Sequence, residues 1–148
     1  MNEALRELYQ EMILDHYKHP RNFGTLEEET SHASGNNPLC GDRIAVHLLL
    51  EGDRIRDVRF EGIGCAISTA SASMMTSAIK GKSVGEARRL FEEFQAMVTR
   101  EGGEPGEEMK ELEALAGVRQ HPVRIKCATL PWHTMLAALN GGQEATTE

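Results

Sequence analysis

The chain has 148 residues, of which 40% are hydrophobic, and this length predicts a single domain over residues 1–148. Its 16 Lys and Arg against 23 Asp and Glu give a net charge of −7, which argues against nucleic-acid binding because such binding relies on clustered basic residues. No apolar run approaches the roughly 18 residues that span a bilayer, and the N-terminus lacks the features of a secretory signal. We therefore expect a cytoplasmic protein that binds neither nucleic acid nor membrane.

The N-terminal residues predict an amphipathic helix followed by a loop. Apolar side chains recur at helical spacing between residues 5 and 16, and Pro20 ends the helix because it pushes the preceding residue out of helical geometry. Residues 21–39 contain two glycines, three asparagines and a proline. This composition predicts a loop, with a short edge strand near residues 30–33.

The next segment predicts a β-hairpin. Apolar and polar residues alternate over residues 43–50 and again near the end of residues 54–61, and a Gly-Asp pair between them supplies a two-residue turn. Ile55 is out of register with the apolar residues that follow it. We therefore expect a β-bulge near Arg56.

Two helices are predicted after the hairpin. The sequence Gly-Ile-Gly-Cys at residues 62–65 ends the second strand, and a helix built of small residues covers residues 66–80. Such a surface lets a neighbouring backbone approach closely. Ser83 begins the next helix, and Glu86 completes a capping box three residues later.

The C-terminal part predicts an insertion, a last helix and a tail. Its many glutamates favour a solvated insertion at about residues 97–118, with a short helix over residues 107–116. The last helix covers residues 128–139, with Pro131 in its first turn, and residues 143–148 are expected to be disordered. An early hairpin and late helices predict an α+β domain, with helices packed on one face of a small antiparallel sheet.

The three cysteines stand at structural breaks. Cys40 precedes the first long strand, Cys65 joins a strand to a helix, and Cys127 leads into the last helix. Their odd number argues against a disulfide framework, so the thiols are either reactive or buried and inert. Helix N-termini near Cys65 and Cys127 favour the thiolate. Three thiolates and Asp42 make the four ligands that tetrahedral zinc prefers, although Asp42 could instead bond N–H groups of its own turn.

Nearby cations could balance such a site. Zn²⁺ with three thiolates and a carboxylate has a net negative charge, which is costly unless cations lie close by. Arg43, Arg124 and Lys126 flank the candidate ligands in sequence, and they could offset this charge, steady a persulfide, or be solvated surface cations. Histidines offer alternative ligands, but none pairs with another residue at ligand spacing: His16, His19, His32, His47, His121 and His133.

Three motifs together resemble the IscU/NifU-type iron–sulfur cluster assembly proteins. They are Cys-Gly-Asp at residues 40–42, Gly-Ile-Gly-Cys-Ala-Ile-Ser at residues 62–68, and Val-Arg-Ile-Lys-Cys at residues 123–127. Within this family, a histidine precedes the third cysteine of the scaffold proteins, whereas here Lys126 does. This lysine, the acidic insertion and the ending Cys-Ala-Thr-Leu-Pro-Trp are similar to the SufU branch.

The resemblance implies a site and a partner. In SufU-type proteins, zinc is held by the counterparts of Cys40, Asp42, Cys65 and Cys127, and a pyridoxal-phosphate-dependent cysteine desulfurase delivers sulfur as a persulfide. The resemblance favours Cys40 as the sulfur acceptor and leaves open whether Cys127 receives sulfur first. The positions of Arg124 and Lys126 beside the ligands suggest supporting roles for these two residues. The alternative is a scaffold on which Cys40, Cys65 and Cys127 hold a labile [2Fe–2S] cluster that passes to downstream acceptor proteins. The first reading describes a sulfurtransferase-like carrier, the second a carrier without enzyme activity.

Overall fold

A computed structural model describes residues 3–38, 40–99, 112–141 and 144–146. Its strands form one sheet in the order β3-β2-β1-β4, with the bounds β1 (Ser31–Asn37), β2 (Asp42–Glu51), β3 (Arg54–Ile63) and β4 (Glu144–Thr146). The helices are α1 (Glu3–Lys18), α2 (Ala66–Ile79), α3 (Val84–Thr99), α4 (Pro122–Leu139) and a 3₁₀ helix (Leu112–Gln120). This arrangement confirms the predicted α+β class. Among the described helices, none combines the length and the apolar character needed to cross a membrane.

The strands β2 and β3 form the predicted hairpin. They pair antiparallel through the two-residue turn that the sequence indicates. Leu49 pairs with Asp57, and the next residue, Leu50, pairs with Ile55, so Arg56 is the extra residue on β3. The predicted bulge near Arg56 is therefore confirmed.

The inner face of the sheet packs against α2 and α4. This face carries buried apolar side chains from all three long strands: Ala33, Ile44, Val46, Leu48, Val58 and Phe60. Trp132 of α4 is fully buried and stacks on Phe94 of α3, with 4.7 Å between the ring centroids. Burial of these side chains removes apolar surface from water, which is the main force that holds the helices on the sheet.

The side of the sheet formed by β1 and β4 differs from the prediction. β1 extends to Asn37, well beyond the short strand expected near residues 30–33, because β2 pairs with it along its whole length. The tail at residues 143–148 was expected to be disordered, but Glu144–Thr146 forms β4, parallel to β1. The free edge of β1 has unpaired N–H and C=O groups that can pair with this segment, whose own sequence carries no strand pattern. Residues 142, 143, 147 and 148 lie outside the described part.

The helix α2 consists mainly of small side chains and contacts both α1 and α4, as its composition predicts. Its buried serines are hydrogen-bonded. Ser71 Oγ donates to the Ala128 carbonyl at 2.6 Å and accepts from Trp132 Nε1 at 3.2 Å, and Ser73 Oγ lies 2.7 Å from His16 Nδ1. These bonds let polar residues occupy a helix–helix interface without leaving these hydroxyls unpaired.

The start of α3 is the predicted capping box. The Ser83 hydroxyl accepts the Glu86 N–H at 3.1 Å, and the Glu86 carboxylate accepts the Ser83 N–H at 3.2 Å. These bonds lower the pKa of the Glu86 carboxyl from its usual value. The local sequence was sufficient to predict this capping box because both partners lie within one helical turn.

The insertion is less solvated than its glutamates suggest. A short helix was expected over residues 107–116, but the described part of this segment is the 3₁₀ helix Leu112–Gln120. Leu112, Leu115 and Val118 are buried at a spacing of three residues, which is the period of a 3₁₀ helix. This segment therefore contributes to the core. Residues 100–111 lie outside the described part.

The helix α4 begins at Pro122 and not at residue 128 as predicted. The first-turn proline is therefore Pro122, and Pro131 lies inside the helix. Pro131 has no N–H to donate to the carbonyl of Cys127, four residues earlier, so the helix lacks one backbone hydrogen bond at the turn that carries Cys127. The prediction was wrong because it treated Pro131 as an N-terminal signal.

The close approach of α4 to β1 at Gly35 gives a test of the packing. A Cβ at Gly35 would overlap Thr134 Oγ1 and lie 3.1 Å from Leu130 Cδ1. We expect Gly35→Ala to lower the free energy of unfolding by about 1–3 kcal/mol, measured by chemical denaturation. Gly85→Ala is the control, because the nearest atom to its Cβ is 3.9 Å away. Equal stability of the two variants would contradict this view of the α4–β1 contact.

Candidate metal centre

Cys40 lies in the turn between β1 and β2, at one end of the sheet. The Asn37 carbonyl accepts the N–H groups of Cys40 at 3.2 Å and of Gly41 at 2.8 Å. Gly41 has φ +73°, a left-handed conformation that glycine adopts without steric cost. The Cys40 side chain is exposed. The turn therefore fixes the Cys40 backbone and leaves its sulfur accessible to a partner.

Asp42 is the first residue of β2, and its side chain is buried. One carboxylate oxygen, Oδ1, accepts the Cys65 N–H at 3.0 Å. The other, Oδ2, lies 3.9 Å from Cys65 Sγ. The N–H that Asp42 accepts therefore belongs to Cys65, 23 residues later in the chain, and not to its own turn, while the second oxygen faces a sulfur.

Cys65 lies at the N-cap of α2, where the sequence places it. Its φ of −71° and ψ of 171° are extended, and its Sγ accepts the Ser68 N–H at 3.5 Å. This is the position at which a helix presents unpaired N–H groups, which stabilise negative charge on the sulfur. A Cβ on the preceding residue, Gly64, would overlap Ser68 Oγ and lie 3.3 Å from Asp42 Oδ1, so glycine is needed for this close approach.

Cys127 lies inside α4 and is buried, with 2% of its surface exposed. Its Sγ lies 3.3 Å from Cys40 Sγ. Burial raises the pKa of the Cys127 thiol strongly, and hydrogen bonds with Cys40 and Asp42 raise it further. The expectation that a helix N-terminus favours the Cys127 thiolate is therefore wrong. In the absence of a cation the thiol is favoured, and a bound divalent cation would reverse this preference.

These four residues come from three separate parts of the chain. Single ligand atoms of Cys40, Asp42 and Cys127 all lie within 4.8 Å of one another, and Cys65 Sγ is 3.9 Å from the Asp42 carboxylate. Three thiols and one carboxylate form a donor set that suits tetrahedral zinc, with sulfur as the preferred ligand type. The chemistry of the four donors therefore fits a zinc ion. The spacing fits for Cys40, Asp42 and Cys127, whereas Cys65 lies outside the group of ligand atoms that are all within 4.8 Å of one another.

The cations predicted beside the site lie on two elements. Arg124 and Lys126 are in the first turns of α4, where Arg124 is exposed and Lys126 half-buried, and Arg43 is exposed on β2. Within the described residues, the structure records no side-chain hydrogen bond or ion pair for Arg124 or Lys126. Both residues lie within three positions of Cys127 on α4.

The histidines do not join the cysteine cluster. Among the described residues, the group of potential metal ligands contains cysteine and aspartate only. His47 instead lies between two carboxylates, 2.5 Å from Glu29 and 3.1 Å from Glu61. His16 contacts Ser73. The structure thus gives these two histidines partners elsewhere in the fold.

Two residues that sequence reasoning missed contact the sulfurs. Asn37 Nδ2 donates to Cys127 Sγ at 3.7 Å, and the Ser68 N–H donates to Cys65 Sγ. Nothing in the sequence distinguishes Asn37 from its neighbour Asn36, since both are predicted to be loop residues before a proline. Ser68 could have been found, because it stands three residues after Cys65, which is the spacing of an N-cap bond.

Comparison with known proteins identifies the family. The sequence profile of the NifU-like N terminal domain matches residues 8–141. The zinc-dependent sulfurtransferase SufU of Bacillus subtilis (strain 168) is 46% identical over 134 residues, which cover 90% of this chain and 90% of that protein. The iron–sulfur cluster assembly scaffold protein IscU of Streptococcus pyogenes serotype M1 is 42% identical over 141 residues, which cover 95% of this chain and 88% of that protein.

Solved structures share the fold. FiSufU of Fervidobacterium islandicum AW-1, assigned to the SUF system, superposes with a TM-score of 0.82 at 35% identity and covers 93% of this chain and 99% of its own. A NifU-like N-terminal protein of Brucella abortus has a TM-score of 0.84 at 22% identity, which speaks for the fold alone. The family profile covers most of the chain, and the relatives match it over nearly their whole lengths. The resemblance seen in the sequence is thereby confirmed, and the chain belongs to the NifU-like N-terminal domain family of IscU- and SufU-type proteins.

Proposed function

We propose that this protein is an iron–sulfur cluster assembly protein that binds zinc and accepts persulfide sulfur from a cytoplasmic, pyridoxal-phosphate-dependent cysteine desulfurase, which it thereby activates. The observation that carries the proposal is the pair of sulfurs at the site. Cys40 Sγ is exposed, and it lies 3.3 Å from the buried Cys127 Sγ. One sulfur is therefore within reach of a partner protein, while its neighbour is enclosed by the fold.

The four candidate ligands differ in burial. Asp42 and Cys127 are buried at fixed positions on β2 and α4, whereas Cys40 and Cys65 are exposed. Zinc, when bound, keeps thiols in the thiolate form at neutral pH and exchanges ligands without redox change. The exposed position of Cys40, in a turn held by backbone hydrogen bonds, suits the ligand that leaves most readily.

Sulfur transfer is a thiol–disulfide exchange at Cys40. The Cys40 thiolate attacks the outer sulfur of the persulfide on the desulfurase cysteine, and a new S–S bond forms at Cys40. The original S–S bond breaks, and the desulfurase cysteine leaves as a thiolate. The persulfide proton travels with the transferred sulfur, so no external oxidant or reductant is needed.

Arg124 and Lys126 are proposed to support this exchange electrostatically. Three thiolates and the Asp42 carboxylate leave the zinc site with an excess of negative charge. Positive side chains on the first turns of α4 lower the cost of that charge and of a persulfide anion at Cys40. Because Arg124 is exposed, its effect is expected to weaken with rising salt concentration.

A second candidate function is a scaffold for a labile [2Fe–2S] cluster that passes to downstream acceptor proteins. It is favoured by the same donors, since Cys40, Cys65 and Cys127 offer thiolates as iron ligands, and by the similarity to a scaffold protein of Streptococcus pyogenes. Lys126, which precedes Cys127, is a poor ligand while protonated. A lysine at this position therefore supports sulfur transfer more than it supports the scaffold function.

The acceptor role predicts the behaviour of Cys40→Ala. In a desulfurase assay, this variant is expected to give no more turnover than the desulfurase alone, because the attacking sulfur is missing. Ser34→Ala, an exposed change on β1 away from the cysteines, should activate like the unmodified chain. Zinc content and circular dichroism of both variants are measured in parallel. Activation that survives in Cys40→Ala would overturn the assignment of the acceptor.

Asp42 as a ligand predicts a change in metal exchange. Replacing the hard carboxylate in Asp42→Ala leaves three soft thiolates, so bound zinc is expected to exchange more slowly with an isotopically labelled pool. Asp53→Ala, at an exposed aspartate in the hairpin turn, is the control. If the exchange rate of Asp42→Ala equals that of the control, Asp42 lies outside the ligand shell.

The scaffold candidate predicts a cluster after anaerobic reconstitution with iron and sulfide. Visible absorbance that transfers to an apo-ferredoxin is the expected result, and Cys65→Ala should abolish it while Ser34→Ala should not. A chain that supports desulfurase turnover but yields no cluster absorbance would leave sulfur acceptance as the function.

A further inference from the structure

Asn37 contacts three parts of the candidate metal centre. It is the last residue of β1, it is fully buried, and it pairs with Asp42 across the sheet. Its carbonyl accepts the N–H groups of Cys40 and Gly41 and so closes the turn. Its side-chain amide donates to Cys127 Sγ at 3.7 Å. The backbone carbonyl of Asn37 thus bonds the turn of the exposed Cys40, and its side-chain amide bonds the buried Cys127.

The two contacts have opposite consequences for the two sulfurs. The carbonyl of Asn37 bonds the backbone of the Cys40 turn and not its sulfur, so the Cys40 sulfur keeps its reactivity. The amide bonds the Cys127 sulfur itself. When a cation keeps this sulfur in the thiolate form, an N–H donor would stabilise the negative charge and lower the nucleophilicity of the thiolate. Burial of Cys127 adds a steric barrier to the same effect.

We propose that Asn37 is a positioning residue that keeps Cys127 as the retained ligand, so that sulfur is accepted at Cys40 alone. This inference rests on the proposed function, in which Cys40 and the desulfurase persulfide undergo the exchange described above. Without the amide, Cys127 Sγ loses this donor and can compete with Cys40, whose Sγ is 3.3 Å away. The side chain of Asn37 therefore decides which of two adjacent thiols reacts.

The chain offers matched variants for this test. Asn37→Asp has nearly the same shape but replaces the N–H donor with an oxygen, and Asn37→Ala removes the amide altogether. Both variants retain the carbonyl that holds the Cys40 turn. Asn36→Asp introduces the same charge at the neighbouring residue of β1, which is exposed, and serves as the control.

The first measurement needs no desulfurase. Zinc-loaded protein is treated with an alkylating agent, and labelling of each cysteine is followed by peptide mass spectrometry. In the unmodified chain and in Asn36→Asp, Cys127 is expected to be labelled much more slowly than Cys40. In Asn37→Asp, labelling of Cys127 is expected to be about tenfold faster, as the loss of a hydrogen bond to a charged group implies. Zinc content and thermal unfolding are recorded to confirm folded protein, and Asn37→Ala replaces Asn37→Asp if that variant does not fold.

The second measurement locates the transferred sulfur. After one turnover with desulfurase and cysteine, the persulfide is expected on Cys40 in the unmodified chain and on both Cys40 and Cys127 in the Asn37 variants. If Cys127 stays protected in both folded variants, the inference is wrong. If the unmodified chain accepts no sulfur at any cysteine, the proposed function fails, and the alkylation rates still decide the role of Asn37.

Discussion

The contact between α4 and β1 at Gly35 is the constraint on which the metal centre depends. Because Gly35 has no side chain, Thr134 and Leu130 of α4 lie directly on the strand. Cys127 stands about two helical turns before Thr134, and the strand continues from Gly35 for two residues to Asn37. The same crossing that packs Thr134 on Gly35 therefore brings Cys127 to Asn37. A shift of α4 along β1 would separate its sulfur from that of Cys40.

The centre combines buried and exposed donors within a few ångströms. Cys127 and Asp42 are almost entirely enclosed, and Cys40 and Cys65 are exposed. Enclosure fixes the position of a ligand and keeps other molecules from its atoms, whereas exposure allows a partner protein to reach a sulfur. Two thiols of identical chemistry can therefore have different roles, because the fold buries Cys127 and exposes Cys40. A protein that both binds a metal and transfers sulfur requires this combination of buried and exposed ligands.

Local sequence patterns predicted the features whose partners are close in the chain. The hairpin, the bulge at Arg56 and the Ser83–Glu86 capping box depend on residues within twenty positions of one another. Cys65 was placed correctly at the start of α2 for the same reason. Features with distant partners were mispredicted: the tail forms β4 only because β1 has a free edge, and the insertion joins the core only because a hydrophobic surface is present to receive it.

The sequence by itself determined the candidate ligands, the α+β class and the family, because residue identities and short motifs carry this information. Only the tertiary structure decided that Cys127 lies within a helix and not at its start, that burial raises the pKa of its thiol, and that Asn37 contacts it. These properties arise from the packing of α4 on β1, which joins residues some ninety positions apart. Burial and hydrogen bonding across such distances depend on the whole fold, so no local pattern could have specified them.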